Sequence, residues 1–412
     1  MATLIFNIKQ LVGVREESKL LKGKELSALP SIESAYLVIE NGSIAEYGNM
    51  DEIQNSKFKI QNKIDASGHF ILPCWCDSHT HLVFAASREE EFVDKINGMS
   101  YEEIAAKGGG ILNSAKKLNA MSEDELFDVS VKRLNEVIKL GTGAIEIKSG
   151  YGLSVEGELK MLRVIKRLKK VSPIPIKATF LGAHTYPLEY REDHKGYIDI
   201  IINEMLPVIA KEKLADYIDV FCENGFFSPE ETETICKAGI RHGLKAKIHA
   251  NQLNFSGGVE TGIKLNAVSV DHLETVNGDI INKLANSQTI GTLLPTAAFF
   301  LRMLFQPARQ MIDAGCAIAL ASDYNPGSSP SGNMNLVVAM SCTGMKMLPE
   351  EAINAATLNG AFAMELQDET GSITVGKKAN LIFTKAIPSL AYIPYAFGSN
   401  LIDKVMINGE IV

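Results

Sequence analysis

The chain has 412 residues, of which 46% are hydrophobic and 22% are charged, and its formal net charge is −8. This composition is typical of a globular protein with one large domain and a smaller one. The negative net charge and the lack of a lysine- or arginine-rich block argue against nucleic acid or an anionic membrane as a partner, so a small-molecule substrate is predicted.

The first residues lack the cationic region, apolar core and small-residue cleavage site of a secretory signal. No run of about 18 uninterrupted apolar residues, as a membrane-spanning helix needs, follows in the chain. We therefore predict a cytoplasmic protein. Six cysteines in a chain of this length form no disulfide framework, and a metal or redox role for the pair Cys74 and Cys76 is an open alternative.

The first part of the chain has the patterns of β-strands. The segment YLVIENGSIAEYG (36–48) predicts two strands joined by an Asn-Gly turn, which is a strong hairpin signal. The last residues, KVMINGEIV (404–412), repeat this pattern around a second Asn-Gly pair. We therefore predict a small β-sandwich domain that both termini build together, from residues 1–70 and 365–412.

The middle of the chain alternates short apolar runs with longer helical segments. One of these, 122–141, begins with a serine cap and an acidic first turn and ends at a glycine. The apolar runs predict eight strands: 71–77, 143–149, 175–183, 217–223, 244–250, 267–273, 289–295 and 317–323. This order predicts an α/β fold, a distorted (β/α)8 TIM-like barrel over residues 71–364, with an open doubly wound sheet as the alternative.

In such a barrel the chemistry lies at the carboxyl ends of the strands. Five of the eight histidines fall at predicted strand ends: His79, His81, His184, His249 and His272. Alternate residues of a strand point the same way, so His79 and His81 can reach one ion. His249 and Asp323 converge on the same place from the fifth and eighth strands. Three imidazoles and a carboxylate suit one zinc or iron ion with a position left for water.

The ligand types predict the chemistry of this ion. Neutral imidazoles leave much of the positive charge on the metal, which can then activate a water molecule. Hydrolysis or deamination at a C–N bond is the expected use. No Gly-x-Gly-x-x-Gly motif follows a predicted strand, so a dinucleotide cofactor has no support.

Five longer segments of the chain match the motifs of a known family: HTHLVFAASREEEF (79–92), EIKSGYGLSVEGELKML (146–162), FLGAHTYPLEY (180–190), SVDHLE (269–274) and ASDYNPGSSP (321–330). In these motifs the chain resembles the imidazolonepropionases, the mononuclear family of the amidohydrolase superfamily that acts in histidine degradation. The resemblance covers nearly the whole chain. It implies hydrolytic ring opening of 4-imidazolone-5-propanoate to N-formimidoyl-L-glutamate and the four metal ligands named above. A homodimer is the family expectation.

The resemblance also assigns residues beyond the metal ligands. The substrate contacts that it implies are Arg88, Tyr151, His184, Gln252, Asn325, Gly327 and Ser328. A propanoate tail is a planar carboxylate, which the guanidinium fork of Arg88 can bind through two hydrogen bonds. The resemblance gives the proton-handling role to His272.

At position 252 the chain departs from the family, which often has a glutamate there. Gln252 can hydrogen-bond a substrate ring but cannot accept a proton as a base. We therefore predict that His272 and the ligand Asp323 carry the proton chemistry, while Gln252 orients the substrate.

Two alternatives stay open at the level of sequence. The first is another amidohydrolase, such as a deaminase or a cyclic-imide hydrolase. Lys148 at a strand end would allow a carbamylated lysine between two metal ions, as in binuclear relatives. The second is a non-catalytic relative that keeps the barrel as an interaction scaffold.

Overall fold

The computed structural model describes residues 2–99, 103 and 109–412 of the chain. The strands in that part of the chain form two sheets. The strands before the barrel are β1 (Ala2–Val12), β2 (Ser31–Glu40), β3 (Ser43–Asn49), β4 (Ile60–Asp65) and β5 (Phe70–Pro73). The barrel strands are β6 (Trp75–Asp77), β7 (Thr142–Lys148), β8 (Ile176–Ala183), β9 (Tyr217–Cys222), β10 (Lys245–Ala250), β11 (Ser269–His272), β12 (Ile290–Leu293) and β13 (Ile318–Leu320). The last strands are β14 (Leu381–Thr384), β15 (Ile402–Ile407) and β16 (Glu410–Ile411).

Helices connect the barrel strands, others follow the last barrel strand, and a short one lies between β14 and β15. Their bounds are Glu89–Ile96, Gly110–Ala120, Glu123–Lys139, Val155–Val171, His194–Ile200, Leu206–Glu212, Pro229–Arg241, Gly258–Lys264, Gly278–Ala285, Pro295–Phe300, Ala308–Asp313, Met334–Met345, Pro349–Ala356, Leu358–Ala363 and Tyr392–Tyr395. The helix predicted at 122–141 begins after Ser122, whose side chain forms a capping box with Glu125. Among the described residues, no helix has the length and hydrophobicity needed to cross a bilayer.

The eight barrel strands pair in parallel with their neighbours in chain order, from β6 to β13. The sheet curls until its two outer strands meet at a bridge between Thr80 and Tyr324. At this seam His81 N donates to Tyr324 O at 2.9 Å, and Asp323 N donates to His79 O at 3.0 Å. The predicted distorted (β/α)8 barrel is therefore confirmed. Its closure places residues from the first and last predicted strands side by side.

The first predicted strand, 71–77, is divided at Cys74. Its first half, β5, lies in the terminal sheet between β1 and β14, and its second half, β6, begins the barrel. Cys74 N donates to Asn380 O at 3.0 Å, and Asn380 Nδ2 donates to Gly143 O at 3.1 Å, so this junction joins both sheets. An apolar pattern could not show the division, because both halves are completely buried.

The two termini share one mixed sheet in the order β16, β15, β14, β5, β1, β2, β3, with β4 also paired to β1. Both Asn-Gly turns have the left-handed backbone of a type I′ hairpin. The φ angles are 51° at Asn41 and 79° at Gly42, and 50° at Asn408 and 81° at Gly409. The composite β domain is confirmed, while its boundaries with the barrel stay a prediction.

Asp77 links the first barrel strand to the segment that follows the last one. Its Oδ1 accepts a hydrogen bond from Ser322 N at 2.9 Å, and its Oδ2 accepts one from the Ser322 hydroxyl at 2.6 Å. Both residues are completely buried. This pair therefore holds the closing seam directly before Asp323.

Asp77→Ala should lower the free energy of unfolding by about 1–3 kcal/mol, because it leaves the buried amide and hydroxyl of Ser322 without acceptors. Asp77→Asn keeps the shape and one acceptor oxygen, so its loss should be smaller. Urea denaturation of the metal-free proteins, followed by circular dichroism, measures both changes. An Asp77→Ala variant as stable as the unchanged chain would show that closure does not depend on this pair.

Candidate metal centre and substrate cavity

Three histidines and one aspartate meet at the carboxyl end of the barrel. His79 and His81 follow β6, His249 lies near the end of β10, and Asp323 follows β13. All four residues are at most 2% exposed. His81 Nε2 lies 3.4 Å from His249 Nε2 and 3.7 Å from Asp323 Oδ1, which is itself 3.5 Å from His79 Nε2. The structure thus brings together the four residues that were predicted as metal ligands.

These atoms have the spacing and chemistry of a metal site. Ligands that surround one ion tetrahedrally at about 2.0–2.1 Å lie roughly 3.4 Å from one another. His79 Nε2 is buried without a hydrogen-bond partner in the part of the chain that the structure describes, so an ion would satisfy it. Burial lowers the pKa of all three imidazoles well below the usual value, which keeps them in the neutral form that binds metal. The cluster can therefore hold a metal ion.

Two buried aspartates orient the imidazole rings. His79 Nδ1 donates to Asp271 Oδ2 at 2.7 Å, and His249 Nδ1 donates to Asp219 Oδ2 at 2.9 Å. Because Nδ1 donates in each ring, Nε2 keeps the lone pair that a metal needs. Neither aspartate has a role predicted from the sequence. A charged residue inside an otherwise apolar strand, such as Asp219 in YIDVFC, is the signal that could have marked it.

Lys148 ends β7 in the barrel interior. Its ammonium donates to Glu146 Oε1 at 2.6 Å and to Asp219 Oδ2 at 2.8 Å, and lies 3.5 Å from Asp271 Oδ2. Burial lowers the pKa of Lys148, but these three carboxylates outweigh burial and raise it above the usual value. The side chain is therefore an ammonium, and the neutral amine that a carbamylated lysine requires is not supported.

The surroundings of the cysteine pair do not favour a second centre. Cys74 and Cys76 are both completely buried. Burial raises the pKa of both thiols, which disfavours the thiolate that a metal or redox site needs. All six cysteines are free thiols in this structure.

His272 lies beside the four clustered side chains. Ring nitrogens of His272 and His79 and a carboxylate oxygen of Asp323 lie within 4.8 Å of one another. Glu274, whose side chain is 2% exposed, places Oε1 3.5 Å from His272 Nδ1. Burial lowers the pKa of His272, but the carboxylates of Glu274 and Asp323 outweigh it, so the net shift is upward. This imidazole is placed for acid–base chemistry, and Glu274 has no role predicted from the sequence.

Three strand ends at this face turn through left-handed backbone. The φ angle is 54° at Asn251, 86° at His272 and 52° at Asp323. For residues other than glycine such conformations cost of order 1–3 kcal/mol, and they concentrate at functional sites. This strain supports the assignment of the carboxyl face as the functional end of the barrel.

Two joined cavities adjoin the cluster. The inner one has a volume of about 140 Å³ and is lined by His81, Tyr151, His184, Phe221, His249, Gln252, His272, Asp323, Asn325 and Ser328. The outer one, of about 440 Å³, shares six of these residues and also contacts Arg88, Lys95 and Gly327. Every residue that the family resemblance assigned to substrate binding therefore lines one of the two cavities.

Arg88 and Lys95 give the outer cavity its positive charge. Arg88 Nε donates to the hydroxyl of Ser114 at 2.8 Å, and the guanidinium carbon lies 5.7 Å from the centre of the Tyr151 ring. A Cβ atom on Gly327 would lie 2.6 Å from Arg88 Nη1. Gly327 thus leaves the space that the guanidinium occupies. A cavity with this charge suits a ligand that carries a carboxylate.

Tyr151 and His184 form an aromatic wall between the two cavities. The His184 ring stacks on the His81 ring, with the ring centres 5.3 Å apart, and lies 5.5 Å from the Tyr151 ring. His184 Nδ1 donates to Gly150 O at 3.0 Å. Burial lowers the pKa of His184 to about 4, so the ring is neutral and its Nε2 is an acceptor.

Buried glutamates hold the loops that carry cavity residues. Glu158 accepts three backbone hydrogen bonds, at 2.7, 3.0 and 3.1 Å, from the loop that contains Tyr151. Glu223 accepts a hydrogen bond from Leu253 N at 2.8 Å, next to Gln252. These carboxylates fix loop positions that local sequence patterns do not specify.

Asn325 uses its side-chain amide within its own loop. Its Nδ2 donates to Asp323 O at 2.6 Å and to Ser328 Oγ at 2.7 Å, and its Oδ1 accepts from the backbone N–H groups of Gly327 and Ser328 at 2.8 Å. Ser328 Oγ in turn donates to Asp323 Oδ2 at 3.1 Å. Asn325 therefore shapes the loop around the aspartate, and its predicted contact with substrate stays a prediction.

Known proteins match the chain over most or all of its length. The model of the amidohydrolase family matches residues 70–412. The imidazolonepropionase of Flavobacterium johnsoniae is 60% identical over 413 aligned residues, which cover 100% of both chains. The imidazolonepropionase of Fusobacterium nucleatum is 42% identical over 99% of this chain and 98% of the relative.

Solved structures share the fold at low sequence identity. An E. coli guanine deaminase superposes with a TM-score of 0.71 at 14% identity, over 100% of this chain and 99% of that one. An adenosine deaminase from Xanthomonas campestris with bound zinc gives a TM-score of 0.69 at 15% identity, over 99% and 92% of the two chains. At such identities the likeness concerns the fold alone.

Proposed function

The chain belongs to the imidazolonepropionases of the amidohydrolase family, and we propose that it opens the ring of 4-imidazolone-5-propanoate in the cavity beside the metal cluster. The reaction is hydrolysis of a cyclic C–N bond, and its product in histidine degradation is N-formimidoyl-L-glutamate. The observation that carries the proposal is the cluster of three imidazoles and one carboxylate in a cavity that continues to an arginine.

One zinc or iron ion per chain is assigned to the four clustered side chains, His79, His81, His249 and Asp323. When bound, the ion supplies positive charge that makes a water molecule more acidic and polarises a carbonyl oxygen. Zinc and iron both accept imidazole and carboxylate ligands, so the ligand set favours neither. The neutral state of the three buried imidazoles and the unsatisfied Nε2 of His79 support this assignment.

The charge of the outer cavity suggests how the substrate is oriented. Arg88 binds the propanoate carboxylate, because its guanidinium fork matches a planar carboxylate. Tyr151 lies between Arg88 and His81. The centre of its ring is 5.7 Å from the guanidinium carbon of Arg88 and 5.7 Å from the centre of the His81 ring. The ring of the substrate then lies on the side of the histidines.

Ring opening requires a group that takes up and returns a proton. The attacking water loses a proton, and the ring nitrogen gains one when the C–N bond breaks. His272 and Asp323 lie close enough to share this task, and Glu274 stabilises the protonated imidazole. Gln252 has no acidic proton to exchange, so it positions the substrate through its amide.

We extend the proposal to the assembly, the location and the partners of the chain. A homodimer in the cytoplasm, with a small-molecule substrate and neither nucleic acid nor membrane as a partner, agrees with the family. The net charge of −8 argues against nucleic acid and anionic membranes as partners.

The metal-loaded chain should hydrolyse 4-imidazolone-5-propanoate, which is followed as loss of ultraviolet absorbance. Removal of the metal by a chelator should remove the activity, and Zn²⁺ or Fe²⁺ added at one equivalent per chain should restore it. Asp323→Asn should lose most activity, because it removes the charged ligand. Full turnover by protein without stoichiometric metal would contradict the proposed mechanism.

Arg88→Lys should raise KM about 10–100-fold, since the point charge of lysine cannot replace a pair of charge-assisted hydrogen bonds. Gly327→Ala should act in the same direction, because its methyl group would displace the Arg88 guanidinium. Lys95→Met, which removes a charge from the same cavity without touching this contact, should raise KM less. Steady-state kinetics of the three variants measure the effect. An unchanged KM in Arg88→Lys would place the substrate carboxylate elsewhere.

His272→Ala should lower kcat by about 10²–10⁴-fold, as expected when a positioned acid–base group is lost, while the metal stays bound. Gln252→Ala should act mainly through a higher KM, and Gln252→Glu should change activity modestly. Metal analysis of each variant accompanies the kinetics. If His272→Ala kept its kcat while Gln252→Ala was inactive, the proposed roles of His272 and Gln252 would be reversed.

A further inference from the structure

The barrel interior carries ionisable groups where barrels of this kind mostly carry branched aliphatic side chains. Glu146 and Lys148 lie on β7, Asp219 on β9, Lys247 on β10 and Asp271 on β11. Each of the five residues is at most 1% exposed. Well-packed apolar side chains of similar volume are often at least as stabilising as buried ion pairs. These charges therefore indicate a role beyond the stability of the barrel.

Lys148 connects two aspartates that each hold a histidine of the metal cluster. Its ammonium lies 2.8 Å from Asp219 Oδ2 and 3.5 Å from Asp271 Oδ2. The same two oxygen atoms accept the Nδ1 hydrogen bonds of His249 and His79. One ammonium therefore stands behind two imidazoles that come from different strands.

The second oxygen of each aspartate is also occupied. Asp219 Oδ1 accepts a hydrogen bond from His249 N at 3.1 Å. Asp271 Oδ1 accepts one from the Ser269 hydroxyl at 2.6 Å. Both carboxylates are thus fixed at both oxygens, and Lys148 supplies the positive charge that lets them lie near each other.

We propose that Lys148 is a positioning residue of the metal site, whose ammonium keeps Asp219 and Asp271 where they orient His249 and His79. The inference rests on the proposed metal site. Without the ammonium, the two carboxylates would repel each other in a buried place, so one of them would move. Its histidine would then lose the acceptor that directs Nε2 toward the ion.

Lys247 offers a matched control in the same network. It is as deeply buried as Lys148, but its hydrogen bonds go to Glu146 and to Ser78 O at 3.2 Å rather than to an aspartate. Removal of either ammonium takes one positive charge from the interior, which by itself favours a bound cation. Loss of the position of the aspartates and their histidines weakens the binding of the cation. Only the Lys148 variant should show that second effect strongly.

The test compares Lys148→Met with Lys247→Met in the full chain. Both proteins are stripped of metal and titrated with Zn²⁺ in competition with a chromogenic chelator. The Kd for Zn²⁺ should be about 10–100-fold higher in Lys148→Met than in Lys247→Met, the range typical for loss of a group that orients ligands. The visible absorption of bound Co²⁺ should change in Lys148→Met and stay that of the unchanged chain in Lys247→Met, because it reports ligand geometry.

Equal Zn²⁺ dissociation constants and equal Co²⁺ spectra in the two variants would overturn the proposal. Circular dichroism of the metal-free proteins checks folding, and Lys148→Gln is a second, polar variant for the same measurements. If neither Lys148 variant folds while Lys247→Met does, the role of Lys148 is structural and the proposal is wrong. An unchanged chain that binds no stoichiometric Zn²⁺ would instead refute the proposed metal site.

Discussion

Closure of the parallel barrel is the constraint on which the site depends. His79 follows the first barrel strand and Asp323 follows the last. If the sheet stayed open, these two residues would lie at its opposite edges. They come within 3.5 Å only because the edges meet at the Thr80–Tyr324 bridge and at the buried Asp77–Ser322 pair. The cluster of three histidines and one aspartate is therefore a property of the closed barrel and not of any one strand.

Buried carboxylates recur at the places where a functional group must be fixed. Asp219 and Asp271 accept hydrogen bonds from two of the clustered imidazoles, and Glu158 accepts three from the loop of Tyr151. In surroundings of low dielectric such bonds are strong when satisfied, and unpaired groups are costly. Inside the barrel, charged residues that orient a few side chains therefore take places that aliphatic side chains would otherwise fill.

The fold and the main cluster were predictable because their signals are local. The alternation of apolar runs with helical segments identifies the barrel. Position at the strand ends then brings four residues to one face: His79, His81, His249 and Asp323. Relations across strands are not local, since they depend on register and curvature. The hydrogen bond of Asp219 to a histidine of the next strand, the Glu274 carboxylate behind His272, and the space that Gly327 leaves for Arg88 therefore became visible only in the structure.

The division of the predicted first strand at Cys74 affects how the chain is made. Strand β5 pairs with β14, which follows the whole barrel in the sequence. During translation, β5 therefore emerges long before its partner and keeps an edge of unpaired backbone groups until β14 has left the ribosome. Because β5 runs directly into β6, the start of the barrel is tethered to this incomplete sheet. A nascent or truncated chain that lacks β14 exposes an apolar strand edge, a template for aggregation that only completed synthesis removes.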